Sequence, residues 1–247
     1  MKKALWMAMS FAALLFAQGA KAQTNLQVFY DFGSDRQHVT TTLEGFYNDN
    51  WGNTFFLVDY DYNNRDLSGT VISPNGTYFE IARCLNFWQD SALSPLSLQV
   101  EYNGGIYSTF PINSAWLAGL DWFVHSADFN NTFNFKVLYK NIIKGTSAAP
   151  LQFTFVWGLQ DLFGVRGLRF SGFADFWWED HALFDENFDY LGEASTVFLS
   201  EPQLWYNIGQ HIGCDNLNIG GELELSYNFG TTQGFRCRPC LGMKWVF

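Results

Sequence analysis

The chain has 247 residues, with 14 Lys and Arg against 24 Asp and Glu, a formal charge of −10 at neutral pH. So acidic a chain lacks the Lys and Arg with which nucleic-acid binders neutralise phosphates, and it carries no basic patch, zinc finger or glycine-rich phosphate loop. After residue 22 no run of about 18 apolar residues occurs, which excludes helical spans, yet 26 Phe, 11 Tyr and 10 Trp make the chain rich in aromatics.

The start predicts export. Lys2 and Lys3 precede an apolar run from Ala4 to Phe16, and Ala20-Lys21-Ala22 supplies small residues at the cleavage spacing. Residues 1–22 are read as a secretory signal peptide cleaved before Gln23, and residues 23–247 as a single domain with 11 basic and 24 acidic residues, net −13. As an anchor the run is short of the roughly 20 apolar residues that a spanning helix needs.

Twelve candidate strands follow, separated by Gly, Asn, Asp, Pro and Ser. The first, Asn25–Gly33, puts Leu26, Val28, Tyr30 and Phe32 on one face; the second, His38–Asn48, is mostly polar. The third, Thr54–Asn63, sets Phe56, Val58, Tyr60 and Tyr62 against Leu57, Asp59 and Asp61. Thr77–Trp88 and Leu96–Asn103 come next, the latter opposing Leu98, Val100 and Tyr102 to Gln99, Glu101 and Asn103. The sixth to eighth are Ala115–His125, Thr132–Asn141 and Leu151–Gln160. The ninth is Arg166–Glu179, and the tenth, Ser195–Asn207, has an irregularity expected at Pro202. The eleventh runs Leu217–Phe229 with Glu222 and Glu224 on its polar face. Asn63–Gly76, Phe110–Ala115, Glu179–Glu193 and Gly209–Asn216 read as longer connections.

The twelfth strand, Leu241–Phe247, alternates Leu241, Met243, Trp245 and Phe247 with Gly242, Lys244 and Val246. In a soluble domain such an apolar terminal strand is exposed to fraying and edge pairing, unless it is simply a buried strand. In a closed membrane barrel it pairs with the first strand and turns its apolar face to lipid. The even count, segments of about nine to eleven residues and the period-two pattern predict an all-β fold, a transmembrane antiparallel up-and-down β-barrel of about 12 strands. The terminal Phe247 resembles the signal read by the barrel-assembly machinery of outer membranes.

Specific residues carry a wider resemblance. Asn53-Thr-Phe-Phe-Leu-Val-Asp-Tyr-Asp-Tyr-Asn63, the preceding Gly45-Phe-Tyr-Asn-Asp-Asn-Trp-Gly52, Gln27-Val-Phe-Tyr-Asp-Phe32 and Phe247 resemble the Tsx-like nucleoside channels of Gram-negative outer membranes, and a related group of short barrels. The resemblance implies a monomer in outer-membrane lipid, with a narrow lumen whose aromatic and ionisable side chains bind nucleosides in transit.

The inward faces collect Asp31, Asp59, Asp61, Glu101, Asp121, Asp175, Glu222 and Glu224, opposed by Arg83, Lys136, Lys140 and Arg169. A polar lumen tolerates such charges, which cost several kcal/mol at the lipid midplane. They serve either as ion pairs that fill the lumen or as a solute site. Carboxylates accept from sugar hydroxyls, and aromatic rings stack on a base at roughly 1–3 kcal/mol per contact. The expected ligand-binding set is Asp59, Asp61, Glu101, Asp121, Arg83 and Lys136 with Phe55 and Phe173; Trp177 is a further stacking candidate.

A channel rather than an enzyme is expected, without cofactor or metal; the alternatives are a closed barrel acting structurally or through its loops, and a lipid-modifying barrel enzyme. His125-Ser126 beside Asp121 and Asp128 invites a Ser/His/Asp reading, but adjacent residues on a strand point to opposite faces, and no Gly-x-Ser-x-Gly turn is present. Cys237-Arg-Pro-Cys240 has zinc or redox spacing, with Cys214 and His211 as weak partners. In an exported chain a disulfide from Cys214 to Cys237 or Cys240 is the plainer expectation; Cys84 is the fourth cysteine.

Overall fold

A computed structural model describes residues 22–34, 36–62, 64–65, 71–72, 76–107, 111–185, 187 and 189–247. The expected signal peptide lies outside these residues apart from Ala22, as does most of the Asn63–Gly76 connection. The described chain is a ring of strands: β1 (Ala22–Asp31), β2 (Val39–Asp49), β3 (Gly52–Tyr62), β4 (Gly76–Leu85), β5 (Leu96–Tyr107), β6 (Pro111–His125), β7 (Asn131–Ile142), β8 (Leu151–Gln160), β9 (Leu168–Phe184), β10 in two pieces (Tyr190–Ser200 and Gln203–Tyr206), β11 (Leu217–Tyr227) and β12 (Phe235–Val246). Each strand pairs antiparallel with its neighbours in sequence. The ring closes where β12 lies against β1, from Asn25 opposite Val246 to Asp31 opposite Cys240. This is the twelve-stranded up-and-down barrel expected from the alternation. Among the described residues, two 3₁₀ turns, Leu162–Gly164 and Gly209–His211, are the helical pieces.

The split in β10 falls at Glu201-Pro202, because Pro has no N–H to give the ladder. Pairing survives on both sides: Glu201 N donates to Phe173 O at 3.1 Å, and Leu223 N donates to Pro202 O at 3.0 Å. Gly172 on β9 faces the irregularity with φ +155°, and a Cβ there would lie 2.4 Å from Glu201 O, so only glycine lets the two backbones approach.

Residue parity sorts the side chains. Outward positions on nine of the twelve strands carry exposed apolar groups, among them Val28, Ile81, Val100, Leu120, Val137, Phe153, Leu204, Leu223 and Met243. Inward positions hold buried polar groups such as Asn25, Gln27, Gln99, Glu101, Asp121, Lys140, Gln152, Glu224, Arg238 and Lys244. The usual order of a soluble domain is inverted, as it must be when the outer solvent is hydrocarbon and the inner one is water. Closure also leaves no unpaired strand edge, which a bilayer would penalise by several kcal/mol per orphaned backbone group.

The strand boundaries move modestly from expectation. β8 runs as read, whereas β6 begins at Pro111, so Phe110–Ala115 is mostly strand rather than loop. β9 extends to Phe184 and β10 starts at Tyr190, so much of the expected Glu179–Glu193 connection is strand.

The disulfide expectation fails, since all four thiols are free. Cys214 sits toward the C-terminal end of β12, in the β10–β11 connection, whose Asn216 carbonyl accepts from Val246 N. Cys237 and Cys240 pair with Leu225 and Glu222, farther along β11. Leu217 and Leu225 are roughly 26 Å apart at about 3.3 Å per residue, well beyond the reach of a disulfide. Cys237 and Cys240 themselves stand an odd number of residues apart on one strand, one exposed and one buried, so they point to opposite faces.

Candidate functional site: the lumen

Inside the ring lies a cavity of about 2560 Å³. Its lining begins at Gln23, Asp215 and Phe247 beside the termini and reaches Arg36, Phe184 and Arg236 at the opposite end. Among the described residues fifteen carboxylates line it, against seven Lys and Arg.

The two halves of the wall contribute differently. Inward positions on β1–β6 supply Asp31, Glu44, Asp59, Asp61, Glu80, Glu101 and Asp121 and no Lys or Arg. Thr42 Oγ1 donates to Asp59 Oδ1 at 2.5 Å, and Thr40 Oγ1 to Asp61 Oδ1 at 2.6 Å. His38 Nε2 stands 3.6 Å from Asp61 Oδ2. Asn25 Nδ2 donates to Glu44 Oε1 at 2.9 Å. Glu101 accepts from Gln99 Nε2 at 2.8 Å and Asn103 Nδ2 at 3.0 Å, and Asp121 accepts from Asn134 Nδ2 at 2.8 Å. Most of these acids are thus held by neutral donors, which fix their direction.

All the inward strand cations come from β7–β12: Lys136, Lys140, Arg169, Arg236, Arg238 and Lys244, interspersed with Asp175, Glu179, Glu201, Glu222 and Glu224. Lys140 Nζ donates to Gln152 Oε1 at 2.9 Å and lies 3.9 Å above the Trp177 ring, whose Nε1 donates to Glu179 Oε2 at 2.9 Å. Near the opposite end Arg238 and Arg36 both hold Glu224, the latter at 2.6 Å, and Arg36 also stands 3.6 Å from Asp31.

Of the residues expected to bind solute, Phe55, Asp59 and Asp61 on β3, Glu101 on β5, Asp121 on β6, Lys136 on β7 and Phe173 on β9 all line the cavity. Asp121 and Lys136 are register partners. β3 and β9 stand six strands apart in a ring of twelve, so Phe55 and Phe173 occupy opposite walls. Arg83 is the correction. Its neighbours Ala82 and Cys84 are buried inward, so parity turns Arg83 out, where Nη1 reaches Asp49 Oδ2 at 2.8 Å and Thr54 Oγ1 at 3.1 Å on the outer rim.

Sequence reading missed Glu44, Glu80, Glu201, Arg36, Arg238 and Lys244. Parity with Thr40 and Thr42 points to Glu44, and Lys244 already stood on the polar face of the closing strand. Arg238 was hidden inside a motif read as redox or zinc chemistry. Among the described residues no group of three or more His, Cys, Asp or Glu could hold a metal. At the β6–β7 turn Ser126 Oγ donates to Asp128 Oδ1 at 2.5 Å, whereas His125 Nδ1 meets the Ser126 carbonyl and its ring stacks on Phe129. The Ser126 hydroxyl, then the Asn130 backbone, hold the Asp128 carboxyl below its usual range, so serine and histidine do not form a nucleophile–base pair.

Comparison with known proteins adds to this geometry. Residues 22–247 match the family model described as "Domain of unknown function (DUF5020)". No curated protein matches the chain in sequence. The solved "NanC porin structure in rhombohedral crystal form" is 9% identical with a TM-score of 0.54, over 90% of this chain and 98% of that one. The "KdgM porin" is 11% identical with a TM-score of 0.47, over 91% and 99%. OccK2 (OpdF) of Pseudomonas aeruginosa is 9% identical with a TM-score of 0.45, over 94% and 98%. At such identity the NanC likeness establishes a shared barrel fold.

Proposed function

The chain belongs to the DUF5020 family, and we propose that it is an outer-membrane channel through which small polar solutes diffuse passively. The observation that carries this reading is the charged, aromatic cavity of about 2560 Å³ whose lining extends from one end of the barrel to the other. Its outer surface suits lipid, with exposed apolar side chains at outward positions on nine of the twelve strands. Passage needs binding strong enough to admit a solute and weak enough to release it, and hydrogen-bonded carboxylates in water meet both conditions. The excess of acids over Lys and Arg favours neutral or cationic solutes over anions.

Nucleosides are the first solutes to test. They are neutral, their hydroxyls can donate to Asp59, Asp61 and Glu101, and their bases can stack on Phe55 or Phe173. The resemblance to Tsx-like channels in the Asn53–Asn63 segment supports the same choice. The protein acts as a monomer and assigns no catalytic step to any residue. The ion-pair knot of Arg36, Glu224, Arg238 and Asp31 at one end favours a second reading, a barrel held shut that works through its connections.

Reconstitution in liposomes separates the two. Nucleoside uptake faster than that of sugars of similar size, reduced by Asp59→Asn with Asp61→Asn, is the expected result. Uptake of neither solute overturns the channel and leaves the closed barrel.

A further inference from the structure

Two lumen cations stand apart from the ion-pair networks. Arg169 on β9 and Lys244 on β12 both line the cavity, and among the described residues neither has a carboxylate within 4.0 Å. Between them lies Trp205 on β10, 1% exposed, the register partner of Arg169. Lys244 Nζ sits 4.3 Å from the centre of the Trp205 ring, and the indole Nε1 donates to Gln203 Oε1 at 2.8 Å. A cation over an indole face is held in place by the ring quadrupole without losing its charge to a counter-ion.

The wall is shaped to hold this arrangement. Trp205 pairs with Gly220 on β11, which pairs with Gly242 on β12, which pairs with Phe29 on β1. A Cβ on Gly220 would lie 2.8 Å from the Trp205 ring, and one on Gly242 would lie 2.8 Å from the Phe29 ring. The two rings therefore fold down over two bare glycines, their centres 5.5 Å apart, among the residues that line the cavity. On the other side the Arg169 guanidinium rests on Gly158 of β8, where a Cβ would meet Nη2 at 3.0 Å. Arg169 acts electrostatically on Lys244; Glu44 of β2, already engaged with Asn25, acts on both cations, and Glu222 of β11 acts on Lys244 from beyond contact distance. Like charges brought together with no carboxylate in direct contact repel, and an anionic group between them relieves the repulsion.

We infer that Arg169 and Lys244 form a subsite for the carboxylate of a small zwitterionic solute, whose ammonium turns to Glu44 and the acid-only wall of β1–β6. The inference rests on the channel reading and extends it to a second solute class. A free anion meets the same two cations but also the excess of lumen acids, whereas a zwitterion satisfies both walls at once. A cation lacking a carboxylate gains from one wall only.

The test uses the full barrel in liposomes, with swelling measured in alanine, lactate and glycerol, three solutes of similar size that are zwitterionic, anionic and neutral. The ratio of alanine to glycerol rates falls about 2- to 5-fold in Arg169→Gln with Lys244→Gln, the scale of a modest charge contact. The glycerol rate reports folded, open barrels. Arg169→Lys with Lys244→Arg restores the ratio, and Arg166→Gln, an exposed charge on the β8–β9 turn, keeps it. An unchanged ratio in glycerol-permeable double-variant barrels overturns the subsite. A lactate ratio that falls as far as the alanine ratio overturns the zwitterion assignment. A native barrel impermeable to glycerol overturns the channel itself, and the subsite with it.

Discussion

Seen from outside, β1–β6 and β7–β12 present the same chemistry: Val28, Ile81, Val100 and Leu120 on one half, Val137, Phe153, Leu204 and Leu223 on the other. Seen from inside they differ, one half offering acids alone and the other a mixture with every inward strand cation. Hydrocarbon accepts only apolar groups, so the outer face had no freedom to diverge. Water in the lumen accepts any polar group, so the barrel fold asks only for polarity there. The sorting of charge between the halves is therefore not needed for folding, and it sets a field across the path of a solute.

The largest effect should come from breaking the outer sameness. Val100→Arg on β5 and Val137→Arg on β7 should each cost about 2–4 kcal/mol, measured by urea unfolding in lipid vesicles, because both put a cation into the apolar belt. A cost near zero for either would mean that its half does not face lipid. Next is the stability of the knot. Arg238→Gln should cost about 1–3 kcal/mol, since Glu224 keeps Arg36 and the Ser226 hydroxyl but loses one of its two cations, and adding Arg36→Gln should cost more than the two singly.

The inner difference is sharpened electrically. With Glu44, Asp59, Asp61 and Glu101 changed to their amides, the cation-over-anion permeability ratio should fall by about threefold or more, read as a reversal potential in a KCl gradient. No shift would mean that the acid-only wall has no electrical consequence. The smallest effect belongs to Arg83→Gln, which should change stability by no more than about 0.5 kcal/mol and leave conductance alone, because its pair with Asp49 lies on the water-exposed rim.

The sequence revealed the barrel because lipid and water impose a strict period of two, visible in Leu217–Phe229 or Leu241–Phe247 without any knowledge of partners. Parity on β3 likewise placed Asp59 and Asp61 correctly. The same rule misplaced Arg83 only because its strand was not phased against Ala82 and Cys84. What parity could not reveal is which strands become neighbours across the ring. The meeting of Arg169, Trp205 and Lys244 depends on register carried through Gly220 and Gly242, residues without side chains to advertise it. The cysteines misled for a related reason: spacing along the chain says nothing about which end of an extended strand a thiol occupies.

Among the described residues, every strand pair but one joins neighbours in sequence, and the exception is the seam of β1 and β12, where Phe247 N also donates to Thr24 O at 2.9 Å. Eleven contacts can form locally, each closing a short loop at small entropic cost, while the last must bring together segments from the two ends of the domain. Until it forms, two strand edges stay open. The kinetic bottleneck of assembly should therefore be a single late zipping event, and a free peptide of the β12 sequence should compete for the waiting edge of β1.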